Sequence, residues 1–111
     1  MLITAPWTQL EAFSALVRAS RAHRVDSEFD QAAAVHTILA TMTVMSPPLG
    51  TVLIRAQRVV ILHGLKALDA MHLGAALELR SLWSTADQFA FATVDNELAS
   101  AARQEGLDWP A

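Results

Sequence analysis

The chain has 111 residues and a mass of 12.0 kDa, which is room for a single hydrophobic core and one domain at most. Hydrophobic residues make up 53% of it, which excludes a disordered chain, and a net charge of −3 excludes a polyanion binder held by net charge alone. The absence of cysteine excludes a disulfide framework and a thiolate zinc site, and fits a reducing cytoplasm.

In chain order, residues 1–4 read as a short apolar strand ended by Ala5-Pro6. Thr8-Gln9-Leu10-Glu11 has the spacing of a capping box, with Thr8 as N-cap and Glu11 three residues on. The helix it starts is expected to reach Arg24, with Leu10, Phe13, Leu16 and Val17 as its buried stripe. Ser27-Glu28-Phe29-Asp30 begins a second helix that turns Phe29, Ala32, Val35, Ile38 and Leu39 inward, and residues 42–45 form a strand. Pro47-Pro48 enters a third helix with Leu49, Val52, Leu53, Ala56 and Val60 as apolar positions, closed by His63-Gly64. A fourth helix spans about 68–82, and its Gly74, Ala75 and Ala76 allow close approach to a sheet. Residues 89–93 are the clearest buried strand. A helix follows over about 95–104, then Gly106, and residues 107–109 form an edge strand. Strands alternating with helices predict an α/β domain with a mostly parallel sheet. No run approaches the ~20 apolar residues of a membrane span, and no signal peptide opens the chain, so a cytoplasmic location is expected.

Three acids stand out by position. Glu11 follows the strand at 1–4, Asp95 follows the strand at 89–93, and Asp69 lies near the start of the alanine-rich helix. Ligands of open α/β sheets bind at the carboxyl ends of the strands. If the three acids converge, a cation must offset their repulsion, and an all-oxygen set suits Mg²⁺ or Mn²⁺. Each acid also has an ordinary structural use: Glu11 in the capping box, Asp69 and Asp95 as helix N-cap or first-turn residues. Arg18, Arg21 and Arg24 form a basic ridge and Arg55 and Arg58 a basic pair, each readable as a phosphate contact or as a solvated helix face. His72, three residues after Asp69, either orients that carboxylate or is a backbone-satisfied core histidine.

The run from His63 to Ala76, with Leu68-Asp69-Ala70-Met71-His72-Leu73 at its centre, resembles the signature helix start of PIN domains. Phe91-Ala92-Thr93-Val94-Asp95 is similar to the later threonine-x-aspartate motif of that family, and Thr8-Gln9-Leu10-Glu11 resembles, more weakly, its second motif. The resemblance implies a three-layer PIN-like α/β fold over residues 1–111. It implies a metal-dependent ribonuclease of the VapC toxin type, paired with an antitoxin and hydrolysing RNA phosphodiesters. Glu11, Asp69 and Asp95 would then be the catalytic, metal-binding acids for Mg²⁺ or Mn²⁺, with Thr93 lining the site and Arg18, Arg21 and Arg24 contacting RNA. The first family motif, an apolar strand ending in aspartate, has no counterpart before Glu11, so the domain is expected to be incomplete at its N-terminus. The sheet would expose strand edges, and a homodimer is expected. The alternative is a catalytically defective PIN remnant that serves as an interaction or dimerisation module.

Overall fold

The computed structural model describes residues 2–24, 26, 30–83 and 90–107. Among them stand five helices and a two-stranded parallel sheet, a helix-rich α/β arrangement. Contacts divide the chain into two units, residues 1–46 and 47–111.

The first unit runs β1 (Ile3–Thr4), α1 (Thr8–Arg21), α2 (Gln31–Leu39) and β2 (Thr43–Val44). The strands pair in parallel, Ile3 with Thr43 and Thr4 with Val44. Parallel neighbours need a long crossover, which the helix pair supplies. The capping box at Thr8 does not form. The N–H of Thr8 donates to the Ala5 carbonyl at 3.1 Å, so the helix is entered one residue early and Trp7 occupies the N-cap position without a side-chain capping bond to the helix. The Thr8 hydroxyl instead meets that of Thr4 at 2.7 Å. The expected stripe of α1 is also corrected: none of its residues is fully buried, and Leu10 and Phe13 are exposed. The helix ends at Arg21 rather than Arg24. His23 takes a left-handed φ of 57°, and Arg24 and His23 donate back to the Ala19 and Ser20 carbonyls. These paired bonds form a Schellman end, with histidine where glycine is usual.

Asp30 caps α2, its Oδ1 accepting from the Ala33 N–H at 3.0 Å. Val35 is the one buried residue of α2; Ala32 and Ile38 are exposed, and Phe29 lies outside the described residues. Between α1 and α2 opens a groove of about 360 Å³ lined by Pro6, Gln9, Leu10, Phe13, Ala32, Val35 and His36.

The second unit contains α3 (Leu49–His63), α4 (Ala67–Leu82) and α5 (Asn96–Gln104). Gly64 ends α3 at φ 66°, its N–H donating to the Val60 carbonyl. The inward face of α3 is Val52, Ala56 and Val59, so Leu49, Leu53 and Val60 are corrected to exposed positions. Helix α4 is the centre of the unit, with Ala70 and the run Leu73 to Leu77 buried. Its small residues meet a helix, not a sheet. A Cβ on Gly74 would stand 3.0 Å from the Ala56 nitrogen and 3.0 Å from the Val52 carbonyl oxygen, so glycine sets the spacing of α3 and α4.

The expected strand at 89–93 does not form among the described residues. Ala90 makes an isolated bridge, residues 91–93 are irregular, and Phe91 packs on the core; Phe89 lies outside the described residues. Gly106 ends α5 at φ 89°, and the Leu107 N–H donates to the Ala102 carbonyl at 2.8 Å. That second Schellman end carries Leu107 into the core, where it is fully buried with Leu73, Leu98, Ala101 and Ala102. The remainder of the expected strand 107–109 lies outside the described residues. Among those described, no single helix is long and apolar enough to cross a membrane.

Candidate functional site

The start of α4 is set by the break at Gly64. Leu65 is buried, Lys66 is extended at ψ 156°, and the helix begins at Ala67. Asp69 therefore falls at the third helical position, in the first turn, where free N–H groups and the helix dipole favour an anion. It is partly buried. His72 follows one turn later and is also partly buried.

Asp95 is the N-cap of α5. Its backbone is extended and its Oδ1 accepts from the Leu98 N–H at 2.9 Å. Its own N–H donates to the Thr93 hydroxyl oxygen at 3.1 Å. Thr93 and Asp95 are thus one local device that turns the chain into the helix, with Asp95 itself exposed. Substituting this residue separates a structural from a chemical role. Asparagine caps as well as aspartate, so Asp95→Asn is expected to leave thermal stability unchanged, whereas Asp95→Ala loses the cap and about 1 kcal/mol. Unfolding curves for the pair check this. A functional need for the charge would show as lost activity in Asp95→Asn at unchanged stability.

Glu11 is partly buried in the first turn of α1, within the 1–46 unit, and its N–H donates to the Trp7 carbonyl at 3.1 Å. Arg18, Arg21 and Arg24 are all exposed, but only the first two are helical, so the ridge is shorter than its spacing implies. Among the described residues, no group of three or more histidine, aspartate and glutamate side chains could hold a metal ion.

The basic pair on α3 is taken up by acids. Arg55 Nε meets Glu78 Oε2 of α4 at 2.6 Å, and Arg58 Nη1 meets Glu105 Oε1 at 2.6 Å. Glu105 also receives His63 Nε2 on its other oxygen at 2.8 Å. Both the Glu105 and His63 side chains are about nine-tenths buried. Burial pulls the Glu105 carboxyl upward, but the hydrogen bonds and charges of Arg58 and His63 together outweigh it and hold it below the ordinary carboxylate value. Sequence spacing gave no sign of this cluster, since its members lie 42 and 47 positions apart. Only the packing of α5 in this unit brings the C-cap of that helix to the end of α3.

No family model matches this chain, and no similar curated protein or solved structure is found.

Proposed function

We propose that this chain is a PIN-like domain of the VapC toxin type, an Mg²⁺- or Mn²⁺-dependent endoribonuclease paired with an antitoxin and acting in the cytoplasm. The reading rests on the stretches 63–76 and 91–99, whose acids, Asp69 and Asp95, stand at the N-termini of two helices of one packed unit. Glu11, at the start of the helix after β1, is the third acid of the proposal. RNA is the substrate, and the exposed Arg18, Arg21 and Arg24 offer phosphate contacts.

As the side chains stand, the donor set does not fit a bound cation. One oxygen of Asp95 is engaged by the Leu98 N–H, and among the described residues no acidic group of three is assembled. The same observation favours a second reading, in which a PIN-derived chain works without catalysis as an interaction module. The open apolar groove between α1 and α2 supports it.

The deciding experiment incubates the full chain with single-stranded and structured RNA in Mg²⁺ or Mn²⁺, with and without EDTA. The nuclease reading expects cleavage that EDTA abolishes and that Asp69→Asn abolishes without altering the thermal melt. Intact RNA in both ions, or undiminished cleavage by Asp69→Asn, would remove it and leave the interaction module.

A further inference from the structure

We draw no further inference here: the strongest candidate, the apolar groove between α1 and α2 lined by Leu10, Phe13 and Val35, carries nothing because nothing in the structure shows what covers it.

Discussion

Leu73→Ala is expected to destabilise the 47–111 unit by about 3 kcal/mol. Leu73 is fully buried at the middle of α4, in one cluster with Ala56 and Val59 of α3, Leu98 and Ala102 of α5, and Leu107. Half of the other residues in that cluster are alanines, which have no longer side chain to swing into the vacated space, so a cavity persists and its cost adds to the lost transfer energy. Denaturant unfolding measures the change as a shift in midpoint at constant slope. Leu82→Ala, at a site 70% exposed, is the control and is expected to stay within about 0.5 kcal/mol. A loss below about 1 kcal/mol at Leu73 would mean that the helix face is not closed in solution.

The second expectation concerns Glu105. Because its carboxyl is held below the ordinary value in the folded state, folding favours the ionised form. The stabilisation is complete above the ordinary glutamate value of about 4.3, declines as pH falls through that value, and is lost below the lowered folded value. Glu105→Gln is therefore expected to cost about 2 kcal/mol near neutral pH, the scale of hydrogen bonds to a buried charge, discounted because Arg58 is more than half exposed. The difference between variant and wild type is expected to shrink as pH falls through the ordinary glutamate value and to vanish below the lowered folded value, where both carry a neutral group. Unfolding midpoints across that range test it. A gap that persists in acid would mean that the side chain acts by packing alone.

The two expectations share a cause. Alanine-rich helices approach closely, so a few large residues, the Arg55–Glu78 pair and the clamp at Glu105 hold α3, α4 and α5 together. The clamp joins Arg58 and His63 to the last residue before the Gly106 turn, and Leu107 enters the core one step later. Stability and the position of the α5 C-terminus are thus set by neighbouring residues.

Much of the local structure was legible in the sequence. The left-handed Gly64 and Gly106 and the cap at Asp95 are decided by backbone sterics and by donors within four residues, whereas the second helix, expected to start over residues 27–30, is capped by Asp30 and begins at Gln31. The fourth helix was placed to within one residue because its apolar pattern and the break at Gly64 before it agree. What misled was local pattern with more than one outcome. Thr8-x-x-Glu11 reads as a capping box, yet the turn at Ala5 starts the helix earlier. The apolar run at 89–93 reads as a strand, yet Phe91 is needed by the helical core. The candidate acids show the same division. Their places at helix N-termini were readable, but whether carboxylates meet depends on partners distant in the chain.

By itself, then, the sequence determined where the third and fourth helices lie and that Gly64, Asp95 and Gly106 bound helices, because those choices turn on φ and on hydrogen bonds spanning a few residues. The tertiary structure alone decided which face of α3 is inside, that the small residues of α4 meet a helix rather than a sheet, and that Arg58, His63 and Glu105 form one cluster. These depend on apolar area removed from water and on charges paired across 42 to 47 residues, which no spacing along the chain encodes.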